Sequence, residues 1–409
     1  MHKGNIIVGQ SGGPTAVINA SLAGVFQGAK DAGINKIYGM CNGVEGLLRE
    51  EYVDLSDSLS SPDAIELLKR TPSSFLGSCR YKFPNLPEGE AVYRQLFAIL
   101  EKLDIQCFIY IGGNDSMDTI MKLSAYAESI GSSIRFMGVP KTIDNDLAET
   151  DHTPGYGSAA KFVATTMKEL VCDSKVYNMD AVAVVELMGR NAGWLTAAAA
   201  LAGDADCDGA DLIYLPERAF DTEDFLSRVD SLRKEKHTLV VAVSEGLKNK
   251  NGQYICEEKL KDAKEDAFGH KILNGTAAYL VAQIREKLGI KARDIVLNTT
   301  QRCAAHLTSL QDVEEAFAAG KKAVGVALSG HTGEMVRFRR IQDEPYEIQL
   351  ETYDIRKIAN AVKAVPDSWI NESGTGMTEE FIRYCRPLIQ GEASPVMRNG
   401  LPCHLSLRR

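Results

Sequence analysis

With 409 residues, of which 44 % are apolar and 25 % charged, the chain has the balance of a folded globular protein and is too long for one ordinary core, so two domains are expected. A net charge of −9 repels polyanions over most of the surface, which argues against a nucleic-acid partner and leaves any phosphorylated ligand to be met by local cations. No apolar run approaches the ~20 residues of a membrane helix, and the nine scattered cysteines contain no Cys-x-x-Cys pair, so a cytoplasmic chain without membrane, disulfide framework or zinc site is expected.

In chain order, residues 5–9 read as a strand that begins where a secretory segment would still be hydrophobic, residues 15–30 as a helix and residues 36–40 as a strand. Between the first two lies Gln10-Ser11-Gly12-Gly13-Pro14, a glycine turn with proline near the first helical position, which leaves free N–H groups at a helix start. Alone it equally marks an ordinary tight turn. Its weight comes from recurrence: the apolar run Cys107-Phe108-Ile109-Tyr110-Ile111 ends in Gly112-Gly113-Asn114-Asp115-Ser116, which opens a helical pattern. The next apolar run, 136–139, ends in Pro140-Lys141-Thr142-Ile143-Asp144-Asn145-Asp146. Both tips belong on the carboxyl edge of one parallel sheet, where backbone N–H groups meet phosphate. Glycines, carboxylates and one lysine on that edge read as a phosphoryl-transfer site.

A loop through Asp151-His152-Thr153-Pro154-Gly155-Tyr156-Gly157 marks the first domain crossing, which divides the chain into 1–150, 151–340 and a segment 341–409 that packs back across both. The second series contains a strand at 181–187 ending in Met188-Gly189-Arg190, a helix from Asn191, a strand at 238–243 ending in Ser244-Glu245-Gly246, and a strand at 295–298 leading to Gln301-Arg302. These tips should gather at a second sheet edge, and two facing edges make a cleft. Residues 248–266 read as a polar surface insertion, 355–364 as a helix and 401–409 as a loose end. Arg337, Arg339 and Arg340 read as a solvated strand face. His152, His270, His306 and His331 lack metal spacing and read as structural or exposed.

On these motifs, which run from Gly9 to Arg302, the chain resembles the phosphofructokinase family, and within it the pyrophosphate-dependent branch. The resemblance implies an α/β, phosphofructokinase-like fold of two doubly wound domains with a cleft between them. It also implies Mg²⁺-dependent phosphoryl transfer to the 1-hydroxyl of fructose 6-phosphate, in a homodimer or homotetramer. Asp144 resembles the family's catalytic base; its bland alternative is a turn aspartate capping its own backbone. Thr142 would bind the sugar phosphate or the transferring group, and Asp146 would orient Asp144 or help hold the metal. In the ATP-using branch the positions of Asp115 and Lys141 are typically glycine. Here Asp115 would repel the α-phosphate of ATP by several kcal/mol at an effective dielectric of about 20, and Lys141 would stabilise charge on the transferring phosphoryl group. Asp115 could equally cap the helix that follows it.

Gly12, Gly13 and Arg80 complete the expected pyrophosphate side. Asn114 stands where many relatives carry the aspartate associated with Mg²⁺, so the ion would lean on Asn114, Asp115, Asp144 and pyrophosphate oxygens. Met188, Gly189, Arg190 and Glu245 match substrate positions. Arg293 and Arg302 stand nine apart, as do two family arginines that bind the 6-phosphate, one of them from a neighbouring subunit. Thr299 replaces a family histidine and Ala181 an arginine lent across the subunit boundary, with Lys161 or Lys175 as candidate substitutes. An ATP-dependent enzyme and a non-catalytic regulatory subunit of the same fold are the alternatives; neither glycine turn fits the Gly-x-Gly-x-x-Gly fingerprint of a dinucleotide-binding oxidoreductase.

Overall fold

The computed structural model describes residues 4–176, 178–258, 275–359 and 361–407. Eleven of the thirteen strands among them build two sheets, and the last two form a separate short hairpin, Met397–Arg398 with Leu401–Pro402. The first sheet uses β1 (Asn5–Gln10), β2 (Ile37–Met40), β3 (Tyr52–Asp54), β4 (Ile105–Gly112) and β5 (Arg135–Pro140). The second uses β6 (Ala181–Leu187), β7 (Leu212–Tyr214), β8 (Thr238–Ser244) and β9 (Lys291–Val296). The chain then returns to the first sheet with β10 (Glu334–Gln342) and β11 (Glu347–Asp354), giving the orders β11-β10-β5-β4-β1-β2-β3 and β7-β8-β6-β9.

Central strands of the first sheet are apolar on both faces because helices cover both. Ile6, Val8, Ile109, Ile111, Met137 and Val139 point into one core. Ile7, Phe108, Tyr110 and Phe136 point into the other. The second sheet repeats the pattern, with Ala183, Val185 and Leu187 on one side and Val182 and Val184 on the other. All pairs among β1, β2, β4 and β5, and all pairs of the second sheet, are parallel. Their polar tips therefore lie at carboxyl edges.

Several expectations shift. β10 was expected inside a second unit of 151–340, but Glu334 and Met335 pair in parallel with Met137 and Gly138 of the first sheet. The apolar face of β10, Val336 and Phe338, is what the first core takes up. Residues 355–364 do not continue as a helix: Asp354 caps a short 3-10 turn, Ile355–Lys357, after which Val362 bridges to Leu147 and the Lys363 N–H donates to Asp146 O at 2.8 Å. Pairing with a distant segment replaces the local ladder. The first helix runs Ile18–Asp31, three residues later than expected, because the Thr15 hydroxyl accepts from Val17 N and closes the turn ahead of it. The helix expected from Asn191 is a short one, Trp194–Ala197, continuing as a 3-10 turn to Ala202, and the strand expected at 295–298 is β9.

Of the arginines on β10, only Arg339 faces solvent. Arg337 is held by Glu351 across the antiparallel pair, and Arg340, its side chain 12 % exposed, is held by Asp151 and Tyr384 O. In the 248–266 segment, Lys248 bridges Tyr254, and Ile255 and Cys256 are buried; residues 259–266, like His270, lie outside the described residues. His152 is buried between Asp151 and Glu315, bonded to one by each ring nitrogen.

Candidate active site

One wall of the cleft is built from three strand ends. After β1, Ser11 N donates to Ile111 O at 3.0 Å and Gly12 N to Cys79 O at 3.1 Å, so these two groups close the turn rather than standing free. Gly12 and Gly13 matter for another reason: a Cβ on Gly12 would lie 3.1 Å from Lys141 Nζ, and one on Gly13 3.0 Å from Arg302 Nη1. The two glycines make room for two cations. After β4, Gly113 precedes the helix Asn114–Ser129 in extended backbone. A Cβ on Gly112 would meet Ser116 Oγ at 1.9 Å, so only glycine lets the helix start this close to the strand.

After β5 comes the turn that carries the expected base. The Thr142 hydroxyl accepts from Asp144 N at 3.1 Å and donates to Asp144 Oδ2 at 3.3 Å, holding both backbone and carboxylate. Asn145 takes the left-handed conformation, φ +52°, which lets Asp144 and Asp146 both line the cleft while its own side chain turns into the protein. Lys141, 3 % exposed, donates from Nζ to Gly13 O at 2.9 Å.

Electrostatics here are those of a crowded, partly buried site. Burial pushes Asp144 above the carboxylate range, against the pull of Lys141 and the Thr142 hydrogen bond. Asp146 is pushed up by burial and by the Asp144 charge. Burial brings Lys141 down to about 8, with Arg302 and Arg80 acting the same way and both aspartates opposing. Asn114 Nδ2 donates to Asp146 Oδ2 at 3.3 Å, while Asn114 Oδ1 is buried with no hydrogen-bond partner among the described residues. Asp115 is exposed on the first turn of its helix and lines the cleft; the cap residue is Gly113, so the capping alternative for Asp115 is not what forms.

The facing wall comes from the second sheet. Gly189, φ +139°, donates its N–H to Glu245 Oε1 at 3.2 Å, and the Ser244 hydroxyl donates to Gly189 O at 2.6 Å. A Cβ on Gly246 would sit 2.1 Å from Arg190 O, so the two loops touch at the backbone. Burial raises Glu245 to about 7. Gln301 accepts from Met188 N at 3.3 Å, tying the Arg302 turn to the same loop. The Nε atoms of Arg190 and Arg302 are buried without hydrogen-bond partners among the described residues.

These edges face each other across a cleft of about 440 Å³. It brings together Gly12, Gly13, Arg80, Asn114, Asp115, Lys141, Thr142, Asp144, Asp146, Met188, Gly189, Arg190, Glu245 and Arg302. Arg293 is not among them: it is exposed midway along β9, in register with Ala183, while Arg302 follows the strand's end. Ala181 begins β6, at the edge opposite the cleft. Neither candidate substitute reaches the site, since Lys161 is bonded to Gly391 O and Glu392, and Lys175 to Asp208. Ser11 and Ser116, carried in the two glycine motifs without a role of their own, also line the cleft; sequence reading missed Asn191 and Ala192, which flank a polar tip, and Val362, which arrives from the C-terminal segment with no polar-tip signal.

The family model described as phosphofructokinase matches residues 5–326. The chain is 42 % identical over 411 residues to the pyrophosphate–fructose 6-phosphate 1-phosphotransferase of Xanthomonas campestris pv. campestris (strain B100), covering 100 % of this chain and 97 % of that one. It is 41 % identical over 406 residues to the protein of the same description from Halomonas elongata, covering 98 % and 96 %. Among solved structures it is similar to the pyrophosphate-dependent phosphofructokinase from Marinobacter aquaeolei, with a TM-score of 0.88 at 38 % identity, covering 99 % of this chain and 96 % of that one.

Proposed function

The chain belongs to the phosphofructokinase family, and from that premise we propose that it transfers a phosphoryl group from pyrophosphate to the 1-hydroxyl of fructose 6-phosphate, giving fructose 1,6-bisphosphate and phosphate. The observation that carries the donor assignment is Lys141, whose ammonium fills the glycine turn beside the half-buried Asp144, with Asp115 at the same mouth. Together they supply one fixed cation for a compact diphosphate and a carboxylate that repels a longer donor.

Asp144 takes the proton of the 1-hydroxyl as that oxygen forms its bond to phosphorus. The bridging P–O bond breaks, and its electron pair leaves with phosphate. Thr142 holds Asp144 in its acceptor orientation. Lys141 and Arg190 meet the charge that builds on the transferring group; Arg80, Arg302 and the glycine turn hold the phosphates, and Glu245 with the Met188–Gly189 loop holds the sugar. Among the described residues no group of three His, Cys, Asp or Glu forms a metal cage. Mg²⁺ needs none, because it binds through one or two protein ligands plus substrate phosphates and water. The buried, unpartnered Asn114 Oδ1 and the neighbouring Asp115 and Asp146 fit that demand. When bound, the ion neutralises phosphate charge.

Donor and product ester lie close in transfer potential, so the step is reversible and serves glycolysis and gluconeogenesis alike. Arg293, outward on the open edge of the second sheet, supports a homo-oligomer in which a neighbour's side chain completes the sugar-phosphate site. No described helix is long and apolar enough to cross a membrane, and nine free cysteines fit the cytoplasm. The test is formation of fructose 1,6-bisphosphate with Mg²⁺ and either pyrophosphate or ATP, with Asp144→Ala as control. Turnover with pyrophosphate alone, lost in the variant, supports the reading. Turnover with ATP alone overturns the donor assignment, and none with either overturns the enzyme.

A further inference from the structure

Asn145 stands between the two cleft carboxylates, is fully buried, and makes every side-chain bond away from the cleft. Its Nδ2 donates to Tyr384 Oη at 2.9 Å. Its Oδ1 accepts from Thr153 N at 3.1 Å and from Lys363 Nζ at 3.4 Å. Tyr384 and Lys363 both belong to the C-terminal segment and lie beyond residues 5–326, the region the family model matches.

Each is itself tied to the turn that follows. The Tyr384 hydroxyl donates to Asp151 O at 2.7 Å, and Lys363 Nζ donates to Thr150 O at 3.1 Å and Asp151 O at 2.8 Å. The Lys363 backbone adds its bond to Asp146 O, and Trp194 Nε1 of the second unit donates to Lys363 O at 2.8 Å. Tyr384 packs against Trp194 and Trp369, with the Arg340 guanidinium over its ring. Asparagine is one of the few residues besides glycine that takes the left-handed conformation readily, so the residue type permits the turn without fixing it. Here it is over-determined by bonds from residues more than 200 positions away.

We propose that Tyr384 and Lys363 are positioning residues for the phosphoryl transfer: acting through Asn145, they hold the turn that aims Asp144 at the acceptor hydroxyl. They touch no substrate. Their effect is on the geometry of the reacting pair, where a displacement near 1 Å costs about 100-fold in rate. The inference rests on the proposed role of Asp144.

Tyr384→Phe is the informative variant, because it keeps the ring packing and removes only the hydroxyl. Expected are a kcat about 10–100-fold lower with pyrophosphate, KM for either substrate within about twofold, and a melting temperature lowered by only a few degrees, as one unpaired buried amide N–H costs. In an Asp144→Asn background the same change should have no further effect on kcat, since the group it positions is gone. Lys363→Met should show the same dependence on Asp144. A kcat within twofold of the parent, or an equal loss with and without Asp144, overturns the brace. Amide hydrogen exchange read in the same proteins needs no turnover. Faster exchange confined to residues 140–153 in Tyr384→Phe is expected, and unchanged exchange there overturns the brace whatever the donor proves to be. Loss of the donor assignment alone would appear instead as an inactive parent with the exchange difference intact.

Discussion

Removing the Lys141 ammonium should change both the rate and the shape of the pH profile. The group is buried against the Gly13 carbonyl, and its pKa is brought from 10.5 to about 8, mainly by burial. In the free protein the ammonium is therefore lost as pH rises through about 8, and kcat/KM for pyrophosphate should fall on that limb. Bound pyrophosphate adds negative charge beside Nζ and raises its pKa, so the limb should move to higher pH in kcat, which reports the loaded site. Lys141→Met should lower kcat by about 10²–10³, the size of losing one preorganised charge contact, and should abolish the basic limb. The assay is initial rate against both substrates from pH 5.5 to 10 in the two proteins. A basic limb that survives in Lys141→Met, or that sits at the same pH in kcat and kcat/KM, would refute the assignment of that limb to this lysine.

Asp144→Asn should lower kcat by about 10³–10⁴ while raising the melting temperature, because a carboxylate whose pKa is raised by burial weakens the folded state when ionised; a variant that is inactive and also less stable would contradict it. Gly246→Ala places a Cβ against Arg190 O, a backbone atom with no rotamer to retreat to, and should raise KM for fructose 6-phosphate and cut turnover by about 10-fold or more. Gly325→Ala, helical with open space at its Cβ, is the control and should be neutral or slightly stabilising. His152 is raised from 6.5 to about 9 by Glu315 and Asp151 against the cost of burial. A raised histidine contributes its stabilisation fully below 6.5 and loses it as pH climbs through 9, so urea unfolding should show the parent losing about 3 kcal/mol between those limits relative to His152→Gln. Parallel stability profiles would rule that out.

What was legible in the sequence is what a parallel sheet writes locally. A run buried on both faces ends in glycine and polar residues, and the rule that such ends share one edge places Gly12, Gly112, Lys141 and Asp144 together without any contact being known. The second edge follows in the same way through Arg190, Glu245 and Arg302. Spacing along the chain does not by itself say which cleft a residue serves: Arg302 follows the end of β9 and lines the cleft of its own chain, whereas Arg293 lies midway along the strand. Nine residues at about 3.3 Å each carry the backbone well along the strand and round its end, so Arg293 and Arg302 need not face the same space. The return of β10 to the first sheet rests on two residue pairs formed across nearly 200 positions, and nothing in its own sequence marks which edge it joins. The same limit hid Val362, Lys363 and Tyr384. Their partners on the Asp144 turn lie more than 200 residues away; Val362 and Lys363 sit in an irregular stretch, and the helix that carries Tyr384, Glu379–Cys385, is too short to write a clear period. Local pattern thus supplies the groups that do the chemistry. Their protonation states, Lys141 near 8 and Glu245 near 7, come from burial by chain segments that only folding brings near. That is why a base can be proposed before the fold is known, while the pH at which it would work can be argued only from the assembled cleft.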